Sequence, residues 1–218
     1  MASLTPRDRI LDAAMLVFRR HGFRRSSIEQ AAEAAGLTRQ ALYHHFDSKE
    51  ALFRAVVERV YQNALAAESA AADAKEKAGG TLADILVTQI TARLTYLVAS
   101  LDGSPHVEEL FSEVGQIRDL YQKYASLYAA QGVATIERVG RKQKLCLRMA
   151  AGELWRCVEM AVNGTKSAYP KLQPFDAFLK DLETMLRTLI AGTLAPSPRT
   201  ARTTIAKKSS RKKPGDRK

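Results

Sequence analysis

The sequence predicts an all-α protein of about nine helices, with an N-terminal three-helix unit built on a helix-turn-helix and a larger C-terminal helical domain. Three observations carry this. Gly and Pro fall at a few sites between long stretches whose apolar residues recur every three or four positions. No segment alternates apolar and polar residues between turn residues, as a strand would. Capping residues stand where the periodic stretches begin.

The first helix is predicted over Pro6–His21. Thr5 is its N-cap, Pro6 its first residue, and Ile10, Leu11, Ala14, Val17 and Phe18 its apolar stripe. Gly22 closes it, because glycine tolerates the positive φ of a helix terminus. Two short helices follow. Asp47 is expected to open a fourth, with Glu50 as its capping-box partner and Leu52, Phe53, Val56, Val57 and Val60 facing inward. That helix is expected to run toward Ala72, leaving residues 73–80, which end in Gly79 and Gly80, as a loop. Thr81 with Asp84 opens the next helix, to about Ser100, and Ser104 before Pro105 marks another start. Further helices are expected near 116–138, 143–168 and 174–193. From Pro196 onward Pro, Ser, Thr and basic residues leave nothing to bury, so 196–218 reads as a disordered tail. The expected division is therefore 1–54, 55–195 and 196–218.

With 218 residues, 46% hydrophobic and 26% charged, the chain can bury a core without metal or disulfide. No uninterrupted apolar run approaches the length of roughly eighteen residues that a membrane span needs, so no membrane partner is expected. The start, MASLTPRDRILDAA, enters a helical pattern without a signal-peptide core, so a cytoplasmic location is expected. Cys146 and Cys157 fall in what reads as one helix, roughly 16 Å apart, too far to pair; buried free thiols are expected. The net charge of +11 suggests an acidic partner, but it is uneven. Residues 196–218 hold nine Lys or Arg against Asp216, residues 1–54 carry a net +3, and residues 55–195 are neutral. The tail reads either as a solvated extension or as a source of non-specific DNA affinity.

Residues 27–46, SIEQAAEAAGLTRQALYHHF, have a steric logic. Ser27 can cap a helix with Gln30 as reciprocal partner, and Ala31 and Ala32 are small where a second helix must cross. Gly36 allows a tight turn. Thr38 caps the next helix, whose Leu42 and Phe46 point to the core and leave Arg39, Gln40, Tyr43 and His44 outward. Such a face suits the DNA major groove, where Arg can grip guanine and Gln adenine through paired hydrogen bonds. Ser27 and Lys49 are placed to hold phosphates and set register.

The segments RILDAAMLVFRRHGF, SSIEQAAEAAGLTRQALYHHF and DSKEALF closely resemble the N-terminal domain of the tetracycline-repressor (TetR) family, over about the first quarter of the chain. The resemblance implies an Ω-shaped, all-helical homodimer on a palindromic operator in double-stranded DNA. Such proteins usually act as repressors and are released when a small molecule enters the C-terminal domain. An activator with the same DNA head is the alternative, and a non-DNA-binding interaction protein the remaining one. On the matching positions the DNA contacts implied are Ser27, Thr38, Arg39, Gln40, Tyr43, His44 and Lys49. Two features depart from the family: Ala31 stands where a larger aliphatic residue is commoner, and Ser26 and Ser27 replace threonines.

The resemblance fades after about residue 55, and the ligand stays unidentified. Aromatic and polar residues of the middle helices, Tyr96, Phe111, Tyr121, Tyr124, Tyr128, Trp155, Glu159 and Asn163, are the candidates for its cavity. In the last helix Phe175, Phe178, Leu182, Leu186 and Leu189 are the candidates for a two-fold interface. No enzyme, metal or cofactor is expected. His21, His44, His45 and His106 lack ligand-like partners, and neither a nucleophile elbow nor a phosphate-binding glycine loop is present. Of the adjacent pair, His44 is expected to face outward and His45 to pack or cap.

Overall fold

A computed structural model of the chain describes residues 5–195, and the expected basic tail lies outside them. Among these residues there are nine α-helices: α1 (Pro6–His21), α2 (Ile28–Ala34), α3 (Arg39–Tyr43), α4 (Lys49–Lys77), α5 (Leu82–Leu101), α6 (Val107–Gln116), α7 (Arg118–Lys142), α8 (Ala151–Ala168) and α9 (Phe175–Thr193). The all-helical expectation holds.

Local signals explain the helix starts. Thr5 Oγ1 accepts from the Asp8 amide at 3.1 Å while the Asp8 carboxylate accepts from the Thr5 amide at 3.1 Å, so α1 opens with a capping box. Gly22 ends it at φ +76°, its N–H donating to the Phe18 carbonyl. Thr81 and Asp84 repeat the capping box before α5.

Four expectations are corrected. Ser48, not Asp47, caps α4, its hydroxyl accepting from the Ala51 amide at 3.0 Å. The helix also continues to Lys77, because Glu76 in its last turn is gripped by Arg138 at 3.0 Å and Lys142 at 2.9 Å from α7. Residues 143–150 are not helical. They run beside the end of α9, with the Arg148 amide donating to the Thr193 carbonyl at 2.9 Å and the Ala195 amide to Cys146 at 2.8 Å. Cys146 therefore shares no helix with Cys157; both are free thiols, and Cys146 is exposed rather than buried.

The chain forms two compact units, one from residues up to Asp73 with Thr88–Ala130, the other from Ala74–Val87 with residues from Gln131 onward. In the first, Ile10, Phe18, Leu42, Leu52, Phe53, Leu110 and Leu120 form one buried cluster, so α1 to α4 share a core with α6 and the start of α7. Phe18 meets Phe53 edge to face at 5.1 Å, a geometry that places the electropositive ring edge on the partner's electron-rich face.

In the second unit Val158 and Val162 of α8 and Phe178, Leu182, Leu186 and Ile190 of α9 are buried. Trp155 packs against Gly132 of α7 so closely that a Cβ there would overlap the indole ring. Arg187 of α9 bonds Asp84 at 2.7 Å. Hydrogen bonds from Thr81 and then Arg187 hold the Asp84 carboxyl down to about 2. A depressed carboxyl contributes stability above its unfolded pKa of about 4, and that contribution fades as pH falls toward the folded value. Asp84→Asn is therefore expected to cost about 1 kcal/mol at neutral pH, since the pair is partly solvated. The difference from the parent should close on acidification below about pH 4. Urea unfolding across pH checks this; a gap that stays constant to low pH would contradict it.

Among the described helices α5 is long and apolar enough to cross a membrane by length and composition. Its Ile85, Leu86, Ile90 and Leu94 are instead buried within the chain, and it carries Arg93.

Candidate nucleic-acid interface

The helix-turn-helix lies wholly in the first unit. Ser27 caps α2 by accepting from the Gln30 amide at 3.2 Å, while the Gln30 side chain accepts from the Ser27 amide at 2.9 Å. Ile28, Ala31 and Ala32 bury the inner face of this short helix, and the small alanines fit the close crossing that the motif needs. Gly36 turns the chain at φ +68°. Thr38 then caps α3, its hydroxyl accepting from the Ala41 amide at 3.1 Å.

Leu42 anchors α3 with no exposed surface, and Phe46 just beyond it is buried beneath the Arg7 guanidinium. The opposite side of α3 presents Thr38, Arg39, Gln40, Tyr43 and His44, all exposed. His45 is exposed as well, which corrects its expected packed or capping role. Arg39 pairs with Glu29 at 2.8 Å and lies over the Tyr43 ring at 5.4 Å. An exposed pair of this kind is weak, so a stronger partner can take the guanidinium from Glu29.

Lys49 is engaged within the chain. Its ammonium donates to the carbonyls of Phe23 at 3.0 Å, Arg24 at 3.4 Å and Ser26 at 3.2 Å, and sits over the Phe23 ring. An ammonium has three donors, and here all are used. Lys49 thus clasps the turn that leads into α2. Nearby, Glu109 of α6 accepts from the Arg24 amide at 2.6 Å, and its carboxylate fills the space that the missing Cβ of Gly22 leaves.

The remaining candidates are scattered. Tyr124 and Tyr128 are buried in the first unit, where Tyr96 is partly buried and Phe111 and Tyr121 are exposed. Trp155 is buried in the second unit, with Glu159 partly buried and Asn163 exposed. Five of the eight fall in the first unit and three in the second. Of the interface candidates, Phe178, Leu182 and Leu186 have no exposed surface in the single chain, and Phe175 and Leu189 are partly exposed. The large apolar side chains left outward on α8 and α9 are Met160 and Met185.

A polar cluster in the first unit escaped the sequence reading. Glu68 of α4 and Gln89 of α5 are completely buried, and Arg93 nearly so. Gln89 donates to Glu68 at 3.0 Å, and Arg93 lies 3.2 Å from the same carboxylate. A signal existed: Gln89 and Arg93 lie four apart, in line with Ile85, on the buried side of the most apolar helix.

Fold and site define an all-helical helix-turn-helix protein with an exposed reading helix. Residues 10–56 match the family described as bacterial regulatory proteins, tetR family. The likeness to that family is carried by this N-terminal stretch. The HTH-type transcriptional repressor ComR of Escherichia coli K12 is 39% identical over 71 residues, covering 33% of this chain and 34% of ComR. The matched stretch thus spans about a third of that relative's length. The repressor Rv1474c of Mycobacterium tuberculosis is 25% identical over 72% of this chain and 79% of its own length. The likeness in fold reaches further along the chain: the solved structure of the fatty acid degradation regulator FadR from Bacillus halodurans superposes with a TM-score of 0.59 at 14% identity, covering 88% of this chain and 98% of FadR.

Proposed function

We propose that this chain is a sequence-specific DNA-binding transcription regulator, and more finely a homodimeric repressor released from a palindromic operator by a small molecule. The carrying observation is the exposed row Thr38, Arg39, Gln40, Tyr43 and His44 on a helix pinned from behind by Leu42. That row has the shape and donor chemistry for base edges in the major groove. Residues 1–54 act as the DNA-reading head. Ser27 holds phosphate through its hydroxyl, which keeps its proton free while capping α2. Lys49 serves indirectly by fixing the turn before α2, and the protein works in the cytoplasm where its operator lies. A second copy docks on the face of α8 and α9 that carries Met160 and Met185. The basic tail, if it adds non-specific affinity, steepens the salt dependence without changing base choice.

Footprinting and gel shift against the DNA flanking its gene test this reading. Gln40→Ala is expected to lose about 1–3 kcal/mol of base discrimination at one position in each half-site. Lys49→Ala is expected to weaken all sites evenly, because a looser turn misplaces the whole reading helix. Equal loss on every sequence for both variants would contradict the assignment, and so would the absence of any salt-sensitive, sequence-selective shift.

A further inference from the structure

Arg39 is held from two sides, and the two contacts come from different helices of the motif. Its Nη1 lies 2.8 Å from the Glu29 carboxylate of α2, and its guanidinium lies over the ring of Tyr43, one turn further along α3. Both supports stand on packed backbone. Glu29 is in the first turn of α2, whose Ile28, Ala31 and Ala32 are buried, and Tyr43 follows Leu42, which has no exposed surface. A hydrogen bond from its own amide does most to hold the Glu29 carboxyl below its usual range, and the Arg39 charge adds to this, so Glu29 is ionised at neutral pH.

A carboxylate beside a DNA-reading face is repelled by phosphates, so its place there needs a reason. The planar guanidinium supplies one. It carries five N–H donors in a fixed fork, and with Nη1 on Glu29 the opposite edge, formed by Nε and Nη2, still presents two parallel donors. Such an edge fits O6 and N7 of guanine, so Arg39 can meet the base without leaving Glu29. Held in this way, the side chain gives up less freedom on reaching the base than a loose arginine would. Phosphate makes no such demand. It accepts from any edge, draws the whole guanidinium toward the backbone, and breaks the weak pair.

We propose that Glu29 is a specificity-determining positioning residue, which buttresses Arg39 so that its Nε–Nη2 edge meets a guanine in each half-site and which holds it back from phosphates on other DNA. Tyr43 keeps the plane of the guanidinium from the other side. This deepens the DNA-reading function proposed above and rests on it. Glu29 touches no base; it acts through Arg39 alone.

The test uses the full-length protein. Binding sequences are selected from a randomised duplex pool, and affinities are then measured for the selected duplex, for the same duplex with each base pair changed in turn, and for fragmented DNA of unrelated sequence. Glu29→Ala should lower the preference for guanine at one position of each half-site by about threefold to fivefold, keep the preferences elsewhere, and bind unrelated DNA at least as tightly as the parent. Glu29→Asp keeps the charge but draws it back by one methylene, so it should fall between the two, and it carries the test if circular dichroism shows Glu29→Ala unfolded. Arg39→Ala should abolish the preference at that same position, and adding Glu29→Ala to it should change the preference no further. Mere removal of a negative charge would instead tighten binding equally on every sequence, with or without Arg39, and that result would overturn the proposal. So would full guanine preference in the folded Glu29 variants, or in Arg39→Ala. A parent protein that selects no sequence sinks the regulator reading and the buttress with it, whereas a selective parent matched by its Glu29 variants sinks only the buttress.

Discussion

Arg93→Met is expected to destabilise the protein by about 3–5 kcal/mol, because it leaves the Glu68 carboxylate buried without a counter-charge. Burial already raises the Glu68 pKa, and Arg93 is the main influence pulling it back. Without Arg93 the group either stays charged at high cost or takes up a proton on folding. A folded-state pKa raised in this way makes the variant more stable at low pH than at high, so its deficit should grow as pH rises from about 4 through 7. Removing both partners together, as Glu68→Leu with Arg93→Met, should recover most of the loss, since an apolar pair carries no desolvation penalty. Urea unfolding of the singles and the double closes the cycle. A double variant as unstable as the sum of the singles would show that packing, not charge, dominates there.

Leu42→Ala is expected to remove about 2–5 kcal/mol of stability and, with it, selective DNA binding. Leu42 has no exposed surface and is the only buried residue of the five-residue α3. So short a helix has little stability of its own and depends on packing for its position. The variant should bind DNA weakly and without sequence preference even at temperatures where circular dichroism shows it folded. Sequence-selective binding retained by a folded Leu42→Ala protein would show that the reading helix is held elsewhere.

The two expectations differ in how far the sequence alone could carry them. The role of Leu42 follows from its place four residues before Phe46 on a helix whose cap, Thr38, is visible in the sequence. Glu68 reads as one more polar residue in an alanine-rich stretch. Its partners Gln89 and Arg93 come from another helix, so only assembly reveals that all three are inside.

Lys49 and α9 make the same point. Lys49 stands at the start of α4 like many exposed lysines, and its engagement with Phe23, Arg24 and Ser26 depends on how the α1–α2 turn folds back on α4. On α9, the apolar stripe Phe178, Leu182 and Leu186 was legible, but not what covers it. Periodicity marks a face as buried without saying whether its cover is the same chain or a second copy.

By itself the sequence determined the helical class, the start and stop of α1, the starts of α2 and α3, and the outward row of the reading helix. These rest on interactions within one turn, such as Thr5 with Asp8, Ser27 with Gln30, Thr38 with Ala41, and the positive φ of Gly22 and Gly36. Only the tertiary structure decided where α4 ends, which side of α9 is left exposed, and that a carboxylate, an amide and a guanidinium meet in the core. Those outcomes rest on groups far apart in the chain, and their energies depend on burial, which no local pattern specifies.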